Sequence, residues 1–413
     1  MAQPSSPGTT RTTASRRELG WALGVLCLTE IVSWGVLYYA FPVLAADITA
    51  DTGWSPATIT AAFSAGLVVS ALAGIPVGHL MHHHGPRWLM TGGSALAVVS
   101  VLVLATAPSL PLFVAGWLLA GVAMSCVLYA PAFAAVTVWF GPRRVPALTA
   151  VTLVAGFAST VFAPLTAVLD EHFSWRGTYL ILAVLLAVLT VPAHWFGLRP
   201  AWPKAEAAGP TATAQEGEPS PDDRPVRPVE FWVLAAAFTV NAVCLYATVI
   251  NLVPLLHERG YSTTAAAWVL GIGGIGQVLG RLAYAPLVGC AGLPTRTLVI
   301  FAGSALTTGL FAVLPGPYAA LIVVALVAGN VRGMATLLSA TAVSDRWGTA
   351  RFARLNGVFN APMMLATAVS PFIGAWLAGP LGGYPEAFLA LAVLGAVAVG
   401  LATLPGPGRT PRS

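Results

Sequence analysis

Charged residues are scarce in this sequence. Asp, Glu, Lys and Arg make up 8% of the 413 residues, whereas a soluble domain carries about 25%. Hydrophobic residues account for 57%, and the mean hydropathy is +0.80. We therefore exclude an ordinary soluble protein and predict a chain that crosses a membrane many times. Lysine occurs once, against 19 arginines, a ratio that is typical of GC-rich bacterial genomes.

The chain also lacks the motifs of common catalytic centres. It contains no HExxH, GxSxG, P-loop or paired-carboxylate pattern, so we expect neither an enzyme nor direct use of ATP. The net charge of +5 is not a nucleic-acid signature, since no basic stripe alternates with aromatic residues. The four cysteines show no CxxC or CxxH spacing, which favours packing over metal binding. We expect no metal, no cofactor and no nucleic-acid partner.

Apolar stretches of about 20 residues, long enough to cross a bilayer as helices, recur a dozen times. Gly- and Pro-containing turns separate them. The first stretch begins near Leu19 and is too long for a signal peptide, so we expect it to be retained as a helix. The predicted spans lie at about 20–44, 57–80, 88–107, 110–138, 145–168, 176–197, 231–256, 263–289, 295–315, 318–343, 353–378 and 383–404.

The longest gap between spans divides them into two sets of six, which indicates a duplicated bundle. We predict an all-α membrane protein with twelve transmembrane helices in two six-helix bundles. The predicted segments are a cytoplasmic N-terminal tail (1–19), an N-terminal bundle (20–197), a cytoplasmic linker (198–230), a C-terminal bundle (231–404) and a cytoplasmic tail (405–413).

Basic residues are distributed unevenly between the two sides of the predicted bundles. Sixteen lie in the tails, the linker and the loops on the side of the termini, two lie in the opposite loops and two lie inside spans. Because loops rich in Lys and Arg stay in the cytoplasm, both termini should be cytoplasmic. We expect a multi-pass protein of the plasma (inner) membrane of a bacterium.

The loop between the second and third spans carries a recognisable motif. Residues 78–87 read GHLMHHHGPR, which resembles the G-x-L-x-D-R-x-G-R-R loop of the major facilitator superfamily. Gly78, Gly85 and Arg87 match, and His82 stands where the family usually has Asp. The resemblance implies a conformational-switch loop. The family Asp takes part in a charge network that stabilises the outward-open state, so His82 implies a weaker or differently tuned gate.

Shorter stretches resemble one branch of that superfamily, the monocarboxylate porters and oxalate:formate antiporters. Span 5 contains Gly156 and Pro164 but lacks the G-P-x-x-G-G motif of proton-coupled drug exporters. The absence of this motif makes a drug exporter the less favoured interpretation. The matching stretches read GWS at 53–55, YAP at 129–131, WF at 139–140, WRG at 175–177 and GR at 280–281.

Three charged residues lie deep inside predicted spans, and Glu30 is the acidic one. It lies about 15 Å along the first span, at 1.5 Å per residue. Trp34 and Tyr38 follow at helical spacing and form an aromatic stripe that, with Tyr129, should shape a cavity. Glu30 is either a protonatable group that couples or gates transport, or half of a structural ion pair with one of the buried arginines.

Arg281 is the second buried charge, and Gln277 lies one turn before it. In the resembling branch, an arginine in this helix anchors the substrate carboxylate, and a guanidinium suits a planar carboxylate well. The alternative is an arginine that braces the two halves. Animal members place an Asp where Gln277 stands, for proton coupling, so Glu30 becomes the substitute candidate for that role.

Arg332 is the third buried charge. The oxalate:formate antiporters pair their span-8 arginine with a lysine in span 11, where this chain offers Asn356 and Asn360 instead. Arg332 could replace that second cation, or it could neutralise Glu30. With two buried cations and one buried acid, the cavity carries a positive charge whether Glu30 is ionised or protonated, and it should favour anionic ligands.

Three further polar residues recur at helical spacing in span 7: Asn241, Thr248 and Asn251. They either line the cavity or make contacts between helices. The GIGGIG sequence at 271–276 matches a dinucleotide pattern, but it lies inside an apolar span and indicates close helix packing instead. The histidines at 82–84 are predicted to lie in a solvated loop and to bind no metal.

The resemblance implies a secondary active transporter that works by alternating access. We expect its substrate to be a small organic anion, a mono- or dicarboxylate, moved with a proton or by exchange. The substrate-binding set would be Arg281, Arg332, Trp34, Tyr38, Tyr129, Asn241, Gln277 and Asn360. Besides this substrate, the one expected partner is the lipid bilayer, and the protein should act as a monomer. The alternative is an exporter of amphipathic drugs or natural products.

Overall fold

The structure is a computed structural model that describes residues 15–202, 227–347 and 352–404. The predicted C-terminal tail, residues 1–14 of the predicted N-terminal tail and most of the predicted linker lie outside these residues. A π-helical turn at Gly35–Tyr39 and a 3-10 turn at Gly141–Arg143 join neighbouring helices. The α-helices are α1 (Arg16–Trp34), α2 (Ala40–Thr52), α3 (Pro56–Thr106), α4 (Leu110–Val127), α5 (Tyr129–Phe140), α6 (Arg144–Gly156), α7 (Ala158–His172), α8 (Trp175–Gly197), α9 (Pro228–Glu258), α10 (Thr263–Cys290), α11 (Leu293–Val313), α12 (Tyr318–Thr341), α13 (Ser344–Trp347), α14 (Phe352–Leu381) and α15 (Tyr384–Thr403).

The first span is longer than predicted. It runs without interruption over Arg16–Thr52, a length of 37 residues, whereas the sequence indicated 20–44. Its start is fixed by Ser15, whose hydroxyl accepts a hydrogen bond from the backbone of Glu18, and Glu18 caps Ser15 in return. It ends at Gly53, which adopts the left-handed conformation (φ 71°) common after a helix.

Ten helical segments of the described residues are long and apolar enough to cross a membrane. Two of them are much longer than the roughly 20 residues that one crossing needs. Pro56–Thr106 has 51 residues and a non-helical Gly85, and Leu110–His172 has 63 residues and the turn at Gly141–Arg143. The predicted boundaries between spans 2 and 3 and between spans 4 and 5 coincide with these interruptions. The count of twelve stays a prediction.

Glycines bring α10 and α12 into direct backbone contact. A Cβ built on Gly276 would overlap the backbone of Leu326 on α12, and a Cβ built on Gly280 would overlap the backbone of Asn330. The contact is reciprocal. A Cβ on Gly329 would overlap the carbonyl oxygen of Gly273, and a Cβ on Gly333 would overlap that of Gln277. The prediction that the glycine-rich sequence serves close helix packing is therefore confirmed.

The N-terminal half uses the same packing between α3 and α4. A Cβ on Gly66 would overlap the carbonyl oxygen of Trp117, and one on Gly121 would overlap that of Gly66. Trp117 is buried and packs edge-on against Phe41 and Phe63, with ring centroids 5.3 and 4.8 Å away. Each half therefore contains one helix pair joined through glycines.

We call one side of the molecule the far side. This side carries Asp51 and Arg176, which form an ion pair, and lies opposite the start of α1. Among the described residues, four hydrogen bonds join the halves. They are Glu171 with Thr264, Ser64 with the backbone of Phe372, Thr160 with the carbonyl of Gly271, and Arg281 with the carbonyl of Thr152.

We call the opposite side of the molecule the near side. Residues 143–146 at the start of α6 are exposed, and so are 357–358 on α14. Of the four hydrogen bonds between the halves, that of Arg281 lies closest to this side.

Candidate functional site

The glycine-mediated contact of α10 with α12 places Arg281 and Arg332 near one another. The Nη2 of Arg332 donates a hydrogen bond to Oε1 of Gln277, at 3.0 Å. A Cβ on Gly333, which follows Arg332, would approach the backbone nitrogen of Arg281 to 3.1 Å. Arg281 is 9% exposed and Arg332 is 6% exposed. The structure thus brings Arg281, Arg332 and Gln277 together, as their shared assignment to a binding site required.

The guanidinium of Arg281 reaches across to the N-terminal half. Its Nη1 donates to the carbonyl oxygen of Thr152 on α6. Gly156, one turn further along α6, lies so close that a Cβ there would stand 3.2 Å from the same Nη1 atom. The Nε atoms of Arg281 and Arg332 are buried and have no hydrogen-bond partner among the described residues. Both guanidinium groups therefore retain donors that could bind a ligand.

Glu30 is fully buried in α1, and both of its carboxyl oxygens lack a hydrogen-bond partner among the described residues. Within the same part of the chain, the ion pairs are Asp51 with Arg176 and Arg296 with Asp345. The interpretation of Glu30 as half of an ion pair with Arg281 or Arg332 is therefore wrong for this conformation. The reason is geometric, since the hydrogen bonds described above direct Arg281 towards Thr152 and Arg332 towards Gln277.

The predicted aromatic residues gather next to Glu30. The ring of Trp34 lies 5.4 Å from that of Tyr38 and 5.1 Å from that of Tyr129, measured between centroids. The Tyr129 hydroxyl lies within electrostatic range of both Arg281 and Glu30. The π-helical turn at Gly35–Tyr39 begins one residue after Trp34, and such turns are frequent at functional sites.

Sequence reasoning missed two tyrosines. Tyr39 in the π-helical turn is buried and Tyr246 on α9 is half-buried, and the Tyr246 hydroxyl lies within electrostatic range of Arg332 and Arg281. Tyr246 also lines a cavity together with Arg332 and Asn241. Its position five residues after Asn241 gives no clean helical spacing, so the sequence offered no signal beyond its residue type.

Two small cavities share Arg332 as a lining residue. One, of about 80 Å³, lies between α9, α11, α12 and α14, and its polar lining includes Asn241, Thr336 and Thr367. The Oδ1 atom of Asn241 is buried there without a hydrogen-bond partner among the described residues. The other cavity is lined by Thr248, among other residues of the C-terminal half. Asn241 and Thr248 therefore both line cavities, and Thr248 also makes the interhelical contact that was its alternative, a 3.0 Å hydrogen bond with Thr308 on α11.

The other two asparagine predictions have a different outcome. Asn251 donates to the carbonyls of Ala247 and Pro371, at 2.8 and 3.1 Å, and so joins α9 to α14. Asn360 donates to Asn356 within its own helix, at 2.8 Å, and is absent from the lining of both cavities. Asn251 thus makes the interhelical contact that was one of its two alternatives, and the structure does not bring Asn360 to Arg332.

The switch loop is organised differently from a charge network. The Nε of Arg87 donates to the carbonyl of Trp195 at 2.8 Å, and its guanidinium stacks 4.3 Å from the centre of the Trp195 indole ring. The carbonyl of His82 accepts a hydrogen bond from Nε1 of Trp202 at 3.2 Å. Gly85 has φ 75° and ψ 173°, a conformation nearly exclusive to glycine. Aromatic side chains of the same half therefore fix this segment, where the family motif would use a carboxylate.

The histidines at 82–84 are exposed, as predicted, but they lie in the helical turn before Gly85 and not in a loop. The described residues contain no group of three or more His, Cys, Asp or Glu side chains that could hold a metal ion. The remaining motif glycine, Gly78, has open space around its Cα.

Comparison with known proteins identifies the class of this helical bundle. The sequence profile of the Major Facilitator Superfamily matches residues 26–361, which is most of the chain. The chain belongs to this superfamily, and it is a multi-pass membrane transporter and not an enzyme. The fold agrees: a bacterial homologue of the human lysosomal transporter Spinster, in its inward-facing and unoccupied conformation, superposes with a TM-score of 0.74 at 14% identity, over 94% of this chain and 97% of that one.

Two relatives align over nearly the whole sequence. The oxalate:formate antiporter of Oxalobacter formigenes is 28% identical over 403 residues, covering 94% of this chain and 91% of the relative. Monocarboxylate transporter 13 of Rattus norvegicus is 27% identical over 371 residues, covering 86% of this chain and 80% of the relative. The branch that the short motifs indicated is therefore confirmed as the one to which this chain is similar.

Proposed function

We propose that this protein is a secondary active transporter that carries a small organic anion with a carboxylate group across the plasma membrane of a bacterium by alternating access. In this proposal the chain crosses the membrane twelve times, with six helices in each half and both termini in the cytoplasm. The protein works as a monomer. The near side is then the cytoplasmic side, and the structure is that of an inward-facing state.

The observation that carries the anion assignment is the pair of guanidinium groups that have no acidic partner among the described residues. Arg281 and Arg332 are both almost fully buried, and each donates only to a neutral oxygen. A buried charge without a counter-ion is costly. An anionic ligand would supply that counter-ion and would use donors that are unpaired now. The names of the two relatives, one a monocarboxylate transporter and one an oxalate:formate antiporter, support a carboxylate as the anionic group.

Glu30 is the proposed proton-coupling or gating group. A carboxylate buried without a partner is strongly disfavoured, and binding of a proton removes its charge. Tyr129 experiences the charges of both Glu30 and Arg281, so the occupancy of the anion site and the protonation of Glu30 would influence one another. Trp34 and Tyr38 would close the site around the substrate.

The first test is the thermal stability of the purified protein with a panel of ligands. Acetate, lactate, oxalate and malonate represent small carboxylates, and ethidium and tetraphenylphosphonium represent amphipathic cations. We expect at least one carboxylate to raise the melting temperature of the parent, because a ligand that binds only the folded state stabilises it by mass action. The same carboxylate should not stabilise Arg281→Ala. A matched control is Arg144→Ala, which removes an exposed arginine at the start of α6.

The second test is uptake of the identified carboxylate into proteoliposomes that contain only this protein. Arg281→Ala should abolish uptake and still purify as a folded protein. Full uptake by that variant would refute the assignment of Arg281. Stabilisation by the cations alone, unchanged in Arg281→Ala, would favour the drug-exporter alternative and would make Glu30 the next residue to test.

A further inference from the structure

The helices of span 5 and span 8 pack side by side across the boundary between the halves. Three hydrogen bonds follow one another along this seam, which we define as residues 152–171 and 264–281. On the far side, Thr264 contacts Glu171. In the middle, the Thr160 hydroxyl donates to the carbonyl of Gly271 at 2.8 Å. At the end closest to the near side, Arg281 contacts the carbonyl of Thr152.

The last of these contacts exists because span 5 has a glycine at the crossing point. A Cβ on Gly156 would stand 3.2 Å from Nη1 of Arg281 and 2.8 Å from Cγ2 of Val278. The second distance is shorter than side chains tolerate, so any larger residue at 156 would push α10 or its side chains away. Gly156 also ends α6, and α7 begins two residues later. Glycine at this position thus determines how closely Arg281 approaches the N-terminal half.

Arg281 consequently has two uses that compete. In this structure its Nη1 donates to a neutral carbonyl oxygen of the other half, and in the proposed function the same group binds a carboxylate. A hydrogen bond between two charged groups is roughly twice as strong as one to a neutral acceptor. A carboxylate that enters the site would therefore draw the guanidinium away from Thr152. The contact that would break is the one that ends the seam.

We propose that Gly156 is a positioning residue for Arg281. It leaves room for the guanidinium to donate its hydrogen bond to the Thr152 carbonyl in the substrate-free protein, and a bound carboxylate breaks this hydrogen bond. The inference rests on the proposed function, in which Arg281 binds the carboxylate. It adds a coupling between binding and conformational change. The empty protein is held in the inward-facing state by a contact that the substrate itself removes.

The test measures opening of the seam directly. The full chain, with its four native cysteines replaced by alanine, receives one reporter cysteine by Ala267→Cys. Ala267 is fully buried and lies one turn before Gly271, on the side of α10 that faces span 5. The rate at which a water-soluble maleimide labels this cysteine in the detergent-solubilised protein then reports how often the far side opens.

We expect slow labelling of the parent without ligand and faster labelling of Gly156→Ala. The increase should be about two- to tenfold, which corresponds to the loss of one net hydrogen bond. Lactate or oxalate, whichever stabilises the parent, should accelerate labelling of the parent and change that of Gly156→Ala little. In thermal-stability measurements, the concentration of that carboxylate that gives half-maximal stabilisation should be lower for Gly156→Ala than for the parent, because the competing carbonyl no longer holds Arg281.

The matched control is Gly92→Ala, the same substitution at a helical glycine that has no atom within 4 Å of the added methyl group. It should label at the rate of the parent. A double-mutant cycle with Arg281→Ala separates the two contacts of residue 156. If Gly156 acts through Arg281, the double variant labels like Arg281→Ala alone. Fully additive effects would mean that Val278 transmits the change, and they would overturn the proposal.

An unchanged labelling rate in Gly156→Ala would also overturn it. This outcome is distinguishable from failure of the proposed function, since the ligand-free measurement needs no substrate. If no carboxylate stabilises the parent, the proposed function fails. If a carboxylate stabilises the parent through Arg281 but leaves the labelling rate of the parent unchanged, the proposed function stands and the seam contact is not what the substrate releases.

Discussion

Arg332 on α12 donates a 3.0 Å hydrogen bond to Gln277 on α10, and it does so across a contact in which the two backbones touch through glycines. The neutral amide orients the guanidinium without cancelling its charge. The resemblance to the animal monocarboxylate porters implies an Asp at the corresponding position in those proteins, and an Asp would neutralise this charge. The residue at 277 therefore determines how much positive charge the site offers to a ligand.

Gln277→Glu should weaken anion binding. The new carboxylate would accept a hydrogen bond from Arg332, as the Gln277 amide does now. It would also form an ion pair with Arg332 and neutralise the charge that the ligand needs. We expect the KM for the transported carboxylate to rise about tenfold or more, given that hydrogen bonds to charged groups contribute about 1.5–3 kcal/mol. Uptake into proteoliposomes measures this. Gln277→Met, a neutral residue of similar size, is the control, and an equal rise in KM there would contradict the electrostatic explanation.

Gly280→Ala should destabilise the C-terminal half. A Cβ at this position would overlap the carbonyl oxygen of Asn330, so α10 and α12 must move apart. Overpacking of this kind costs about 1–3 kcal/mol, and the melting temperature of the purified protein should fall. Gly289→Ala adds the same methyl group to the same helix where no atom lies within 4 Å. If the two variants have the same melting temperature, the backbone contact does not contribute to stability.

Glu30→Gln should flatten the pH dependence of uptake and leave the protein folded. The amide has the shape of the carboxyl group but cannot exchange a proton, and it removes a charge that has no partner among the described residues. Initial uptake rates between pH 5 and pH 8 test this. Glu386→Gln, at an exposed site in the first turn of α15, is the control. A pH profile of Glu30→Gln that matches the parent would show that Glu30 is structural.

The two glycines of the switch motif should respond differently to substitution by alanine. Gly85 has φ 75° and ψ 173°, and a Cβ there would also stand 2.9 Å from Cγ of Trp202. Such a conformation costs a residue with a side chain about 1–3 kcal/mol, so Gly85→Ala should lower the melting temperature and slow uptake. Gly78→Ala meets no atom within 4 Å and should melt like the parent. Equal behaviour of the two variants would contradict the strain argument.

Much of the architecture was predictable because it depends on composition along the chain. Apolar stretches must be helical to cross a bilayer, so all interruptions near 53, 85, 107 and 141–143 could be placed from Gly and Pro. The excess length of the first span could not, because residues beyond 44 carry polar groups that end an apolar stretch without ending a helix. The helical turn at 82–84 was missed for the same reason.

The site was predictable in its members but not in its pairings. Charges are rare in this chain, so the sequence by itself singled out Glu30, Arg281 and Arg332 and predicted an anionic ligand. Which of them touch was decided by the tertiary structure alone. The glycines of α10 and α12 set the distance between two helices to that of backbone contact, and Gly156 sets how closely span 5 approaches Arg281. Such distances depend on surfaces that come together only when helices pack, so Arg332 reaches Gln277, Arg281 reaches Thr152, and Glu30 has no cationic partner among the described residues.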